Sequence, residues 1–119
     1  MKFVDGEEVF RRNKPYPKLD DRIVIIVDDG LASGYTMLSA INFFKNRNVE
    51  KIIIAVPTAS LSSIELIHHH VDCIVCLNVR SDIMGFAVAD AYVKWYDLTD
   101  NDVLKYVDEV KEYYIPYRI

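Results

Sequence analysis

Asp28 and Asp29 stand side by side where a run of aliphatics, Ile23 to Val27, gives out. Gly30, Leu31, Ala32, Ser33, Gly34, Tyr35 and Thr36 follow at once. Carboxylates bind hydroxyl groups and hard cations, while small residues let backbone amides approach an anion closely. Ser33 and Thr36 add hydroxyl donors. If a helix begins at the end of this loop, its unpaired first amides and its dipole both favour negative charge. Successive residues at a strand end point to opposite sides. One acid is therefore expected to face the ligand, and the other to turn to metal, solvent or backbone. An anion cradle beside hydroxyl-binding carboxylates suits a sugar phosphate, with the acids on the ribose hydroxyls and the phosphate in the loop.

The elements that must position these residues are legible in the hydrophobic pattern. Residues 22–27 are short, unalternating and β-branched, which predicts a strand buried on both faces of a parallel sheet. TMLSAINFFKNR places Met37, Leu38, Ile41 and Phe44 at helical spacing, with Lys45 and Arg47 suited to the helix C-terminus. KIIIAVP reads as a second buried strand stopped by Pro57, and SLSSIELIHHH as a helix capped by Ser60 or Ser62. DCIVCLNV is a third strand. Strand and helix alternating at short intervals predict right-handed crossovers and a parallel sheet between helices, an α/β domain. Ligands of open parallel sheets sit beyond the carboxyl ends of the strands, where Asp28 and Asp29 fall. Residues 81–99 are irregular and rich in aromatics. Thr99 and Asp100 then open a last helix with Val103, Leu104, Val107 and Val110 on one face. Residues 1–21, broken by Gly6, Pro15 and Pro17, form an extended lead-in to a domain over 22–119.

Other phosphate motifs fit this stretch less well. A Walker A loop needs Gly-Lys-Ser/Thr, and position 35 is Tyr with no lysine nearby. A dinucleotide fingerprint needs Gly-x-Gly, whereas Gly30 and Gly34 are separated by three residues. A phospho-receiver would carry an acid after its third strand, where this chain has Asn78-Val79-Arg80.

Composition narrows the field further. The 119 residues suit one modest domain. A net charge of −4 with no basic block beyond Arg11-Arg12 disfavours nucleic acid as a partner. No apolar run approaches the roughly 18 residues of a membrane span, and MKFVDGEEVF has no apolar leader region. Two cysteines suit a reducing compartment, so the expected location is cytoplasmic.

VIIVDDGLASGYTM resembles the phosphoribosyl-pyrophosphate signature of type I phosphoribosyltransferases: apolar residues, two acids, then a small and hydroxylic loop. The likeness continues through KIIIAVP and the third strand into GFAVADAYVKWYDLTDNDV, covering about Lys14 to Val110. That resemblance implies a parallel-sheet, Rossmann-like phosphoribosyltransferase fold. It implies transfer of a 5-phosphoribosyl group from its 1-pyrophosphate to a nitrogen nucleophile, with Mg²⁺. Asp28 and Asp29 would be the catalytic acids, holding the ribose hydroxyls directly or through the metal. Gly30, Leu31, Ala32, Ser33, Gly34, Tyr35 and Thr36 would bind the 5′-phosphate, and Phe86 would lie against a base, although Ala89 stands where the family usually has Gly. The family also carries an upstream half with a pyrophosphate-binding loop, and the residues before the first strand do not form one. The expected partners are therefore phosphoribosyl pyrophosphate or a nucleotide-like ligand, together with a second copy of the chain or a separately encoded N-terminal half. The reading from another class is a non-catalytic ligand-sensing or assembly module that keeps only the phosphate cradle.

Lesser signals point to structure rather than chemistry. Cys73 and Cys76 lie three apart on a strand, facing opposite ways, and a structural zinc site usually takes four ligands. His68, His69 and His70 read as a solvated helix end. Tyr92, Trp95 and Tyr96 suit a core or an interface.

Overall fold

The computed structural model describes residues 16–81 and 85–110. The chain divides into two units, one of Leu19–Trp95 and one of Met1–Lys18 with Tyr96–Ile119. In the first unit, β1 (Ile23–Val27), β2 (Lys51–Ser60) and β3 (Cys73–Arg80) form a parallel sheet in the order β1-β2-β3. Helix α1 (Tyr35–Lys45) joins β1 to β2, and α2 (Leu61–Ile67) joins β2 to β3. A 3-10 turn at His68–His70 prolongs α2, and another spans Val88–Ala91.

The core is the layer between the helices and one sheet face. Met37 and Ile41 of α1 and Ile67 of α2 pack with Ile52, Ile54 and Val56 of β2. Leu38, Phe44, Ile26, Ile74 and Cys76 close around them. The helical spacing read from Met37 to Phe44 thus marks the buried face of α1. Ser60 is the cap of α2, its hydroxyl accepting the Ser63 amide at 3.2 Å.

Three expectations are corrected. The strands are not buried on both faces, and the helices of the first unit do not sandwich the sheet. Ile25, Val27, Val75 and Leu77 are exposed, Val27 by 72% and Leu77 by 84%. The reason is topological: both crossovers step in the same direction along the sheet, and right-handed crossovers of one direction put their helices on one face. Pro57 also does not stop β2, which runs on to Ser60. The ladder skips Pro57, which has no N–H to give, while Val56 and Thr58 stay paired with Cys76 and Asn78.

In the second unit, α3 spans Asp100–Glu109. Thr99 caps it reciprocally with Asp102: the Asp102 amide reaches Thr99 Oγ1 at 3.1 Å, and Asp102 Oδ2 accepts the Thr99 amide at 2.9 Å. Val103, Leu104 and Val107 are half-buried and Val110 is exposed. The lead-in before residue 16 and the chain after Val110 lie outside the described residues.

Candidate functional site

The loop between β1 and α1 is fixed by bonds to β2 and α2. Leu31 lies in a parallel bridge with Ala59, donating its amide to Thr58 O at 3.1 Å and accepting the Ser60 amide at 2.9 Å. The Ser60 hydroxyl donates to Ala32 O, and the Ser63 hydroxyl reaches Leu31 O at 3.3 Å. The carbonyls of Leu31 and Ala32 are thereby engaged. Among the described residues, no acceptor takes the amides of Ala32, Ser33, Gly34, Thr36 or Met37. Gly34 is required by conformation: its φ is +85°, and a Cβ there would come within 3.1 Å of Ser63 Cβ.

Above this loop lies an open cavity of about 210 Å³, lined by Asp28, Gly30 to Gly34, Thr36, Met37 and Val88. Gly30 is what allows the segment carrying Val88 to close over the loop, since a Cβ at Gly30 would meet Val88 Cγ1 at 2.7 Å. Tyr92 supports the same closure by donating its hydroxyl to Asp29 O. The cavity therefore has free amides and the Thr36 side chain on one side, a carboxylate at its edge and an apolar wall.

The two acids separate only in part. Asp28 lines the cavity and Asp29 does not. Asp28 Oδ1 accepts the Asp29 amide at 2.8 Å. Burial pushes the Asp29 carboxyl above its ordinary range, and the charge of Asp28 and a side-chain hydrogen bond to it push the same way. The amides of Asp29 and Gly30 oppose the shift. So the carboxyls interact although only one faces the cavity.

Of the residues expected around the phosphate, Gly30, Leu31, Ala32, Ser33, Gly34 and Thr36 come together at the cavity. The Tyr35 side chain is exposed, and its amide turns to Ser33 Oγ at 3.5 Å. Phe86 is half-buried and not part of the cavity wall, where its segment contributes Val88. Met37 and Val88 escape the reading of the sequence as site residues. Helical spacing assigns Met37 to the core, and Val88 lies in a segment with no period. Cys73 is exposed and Cys76 half-buried, both as free thiols, and Cys76 Sγ donates to Asn78 O at 3.3 Å. His68 and His69 are exposed, their rings 3.7 Å apart. Among the described residues, no three His, Cys, Asp or Glu side chains converge on one point.

Comparison with known proteins gives this geometry a family. "Putative phosphoribosyl transferase Rv0571c" and "Putative phosphoribosyl transferase MT0597", from two Mycobacterium tuberculosis strains, are each 31% identical over 101 residues. That alignment covers 85% of this chain and 22% of either relative. Among solved structures, TT1426 from Thermus thermophilus superposes with a TM-score of 0.76 at 31% identity, over 87% of this chain and 49% of that one. The AQ2163 protein from Aquifex aeolicus gives 0.53 at 25% identity, over 56% of this chain and 33% of its own. The chain thus spans about a fifth of the curated relatives and about half of the Thermus protein. The family model for the phosphoribosyl transferase domain matches residues 5–93, so this chain, an α/β parallel-sheet domain, belongs to that family.

Proposed function

We propose that the cavity binds the 5-phosphoribosyl group of phosphoribosyl pyrophosphate or of a nucleotide. In this reading the amides of Ala32, Ser33, Gly34, Thr36 and Met37 and the Thr36 hydroxyl take the phosphate, and Asp28 faces the ribose. The observation that carries it is the set of loop amides left without acceptors among the described residues beside Asp28, with the Leu31 and Ala32 carbonyls already engaged by Ser60 and Ser63. Such a cradle favours an anion, and the adjacent carboxylate favours a hydroxylic ligand.

The donor set also fits Mg²⁺, which is typically held by one or two carboxylates together with substrate oxygens. Asp28 and Asp29 would hold the ion, and its charge would offset that of a departing pyrophosphate. Asp29 is the better disposed to gain from it, because burial and Asp28 both disfavour its charged form. The reaction proposed is transfer of the ribosyl carbon from pyrophosphate to a nitrogen nucleophile, the site contributing position and charge stabilisation. Further chain is proposed to complete the site, either a separately encoded half or a second copy.

The second reading is a ligand-sensing or assembly module, which uses the cradle without an acceptor site. Titration of the protein with ribose 5-phosphate, followed on the amide signals of residues 31–37, tests the cradle. Loop signals that stay fixed at millimolar ligand would end both readings. Pyrophosphate release measured with and without the completing chain then decides between transferase and sensor.

A further inference from the structure

Two aromatics that do not line the cavity stand beside its acids. Tyr92, half-buried, donates its hydroxyl to the Asp29 carbonyl. Val88 lies against Gly30, so close that a Cβ there would meet its Cγ1 at 2.7 Å. The two side chains thus hold neighbouring parts of one stretch, Tyr92 the Asp29 oxygen and Val88 the residue after it. A single 3-10 turn, Val88–Ala91, joins them, and its amides at Asp90 and Tyr92 bond Ala87 O at 3.0 Å and Ala89 O at 3.2 Å. Trp95 meets the Tyr92 ring edge to face, the centroids 5.3 Å apart. Ring quadrupoles favour that arrangement.

What the tyrosine fixes follows from peptide geometry. A trans peptide is planar, its C=O and N–H pointing in opposite directions, so a bond to the oxygen also sets the N–H. Here the oxygen is that of Asp29, and the N–H of the same unit is that of Gly30, which faces the Asp29 carboxyl. On the other side, Asp28 Oδ1 accepts the Asp29 amide at 2.8 Å. The sheet gives this stretch no support of its own: pairing with β2 stops at Val27 and resumes at Leu31. The backbone that carries both acids is therefore held at two points, one supplied by Asp28 itself and the other by Tyr92. Asp29 is exposed, so water would satisfy its carbonyl as well as a phenol does. What Tyr92 adds is direction.

We propose that Tyr92 is a positioning residue: by holding the Asp29–Gly30 peptide it aims Asp28 and Asp29 at the ribosyl part of the ligand, with Trp95 bracing its ring. This rests on the reading of the cavity as a ribosyl-phosphate site. Tyr92 is not part of the cavity wall and acts through the backbone. The remainder of the β1–α1 loop is shaped by Ser60 and Ser63 instead, through the carbonyls of Ala32 and Leu31. Loss of the Tyr92 hydroxyl is therefore felt by a ligand that carries a ribose and not by bare phosphate.

Tyr92→Phe removes the hydroxyl and keeps the ring against Trp95. Ribose 5-phosphate and inorganic phosphate are each titrated into the full chain and into the variant, followed on the amide signals of residues 30–37. Before any ligand is added, the Gly30 amide nitrogen of the variant should shift, because the carbonyl of its peptide has lost a donor. Affinity for ribose 5-phosphate is expected to fall about five-fold, the scale of one neutral hydrogen bond, while that for inorganic phosphate changes by less than about two-fold. A Gly30 nitrogen that does not move would overturn the proposal, and so would an unchanged affinity for ribose 5-phosphate. Equal losses for the two ligands would overturn it as well, since Tyr92 would then be a general support of the loop. If the unsubstituted chain bound neither ligand at millimolar concentration, the cavity reading would fail and the proposal with it. The unsubstituted chain's own titration thus tells the two failures apart.

Discussion

A methyl group on Gly30 would lie 2.7 Å from Val88 Cγ1 and 2.9 Å from Val88 Cγ2, inside any tolerable contact. Valine is stiff at χ1, so the Val88 segment would have to move as a whole. Gly30→Ala is expected to cost about 1–3 kcal/mol, the range for overpacking, and to weaken ribose 5-phosphate binding in the same step. Urea unfolding and titration would measure the two effects. Thr36→Val keeps the shape of the cavity and removes a hydroxyl, so anion affinity should fall by about 1–2 kcal/mol, as for a hydrogen bond to a charged group. Asp28→Asn should impair binding of ribose 5-phosphate far more than of inorganic phosphate; equal losses would mean damage to the fold. Asp29 makes a pH prediction. A carboxyl whose folded pKa is raised binds its proton more tightly when folded, so its contribution is full below the ordinary value of 3.8 and lost as pH rises through the folded value. Asp29→Asn should therefore raise the urea midpoint slightly at neutral pH and leave it unchanged well below pH 3.8. Asp28, Gly34 and Thr36, which line the cavity, stood out in the sequence because an acid, a glycine and a hydroxyl fall together between an aliphatic run and a helical pattern. Val88 was not, since its role depends on a closure that no local pattern encodes.

At the level of elements, the β1–α1 loop owes its shape to β2 and α2 more than to its own residues. Ser60 caps α2 and bonds Ala32 O, and Ser63 bonds Leu31 O. Ser60→Ala removes both roles of one hydroxyl. It should cost about 0.5–2 kcal/mol, the value of an N-cap, and should also weaken anion binding without touching the anion. A stability loss with unchanged affinity would show that the loop holds its shape unaided. Hydrophobic spacing placed α1 because its buried face repeats every turn, and a serine cap marked the start of α2. The length of β2 escaped the reading because Pro57 ends strands only where its missing N–H is needed, and here a single rung is skipped. The burial of the strands was misjudged for a different reason. An unalternating aliphatic run reports what a strand is able to bury and says nothing of which faces its crossovers cover.

At the scale of the molecule, the face of Ile25, Val27, Val75 and Leu77 is exposed, and among the described residues no strand pairs with the outer edge of β1. Apolar surface of this kind is ordinarily covered by further protein, and a free strand edge by another strand or a blocking segment. The chain is accordingly expected to sediment as a dimer or larger at micromolar concentration, and to release no pyrophosphate by itself. Leu77→Ser should shift the assembly towards monomer without disturbing the cavity on the other side of the sheet's end. A monomer that turns over phosphoribosyl pyrophosphate unaided would defeat this view. Among the described residues, no helix is long and apolar enough to cross a membrane.

The sequential order of the sheet has a kinetic side as well. β2 is the central strand, and its connection to β3, from Ser60 to Cys73, is shorter than that from Val27 to Lys51. Closing the shorter connection costs less chain entropy, and local contacts form first. Substitutions at Ile54 and Ile67, which lie in the β2–α2 layer, are expected to slow folding, whereas substitutions at Ile26 should mainly speed unfolding. The acids and the β1–α1 loop therefore belong to the strand expected to dock last and detach first. Amide exchange at β1 should be the fastest of the three strands and the most strongly retarded by ribose 5-phosphate, so that occupancy of the cavity is read as a lock on the edge of the sheet.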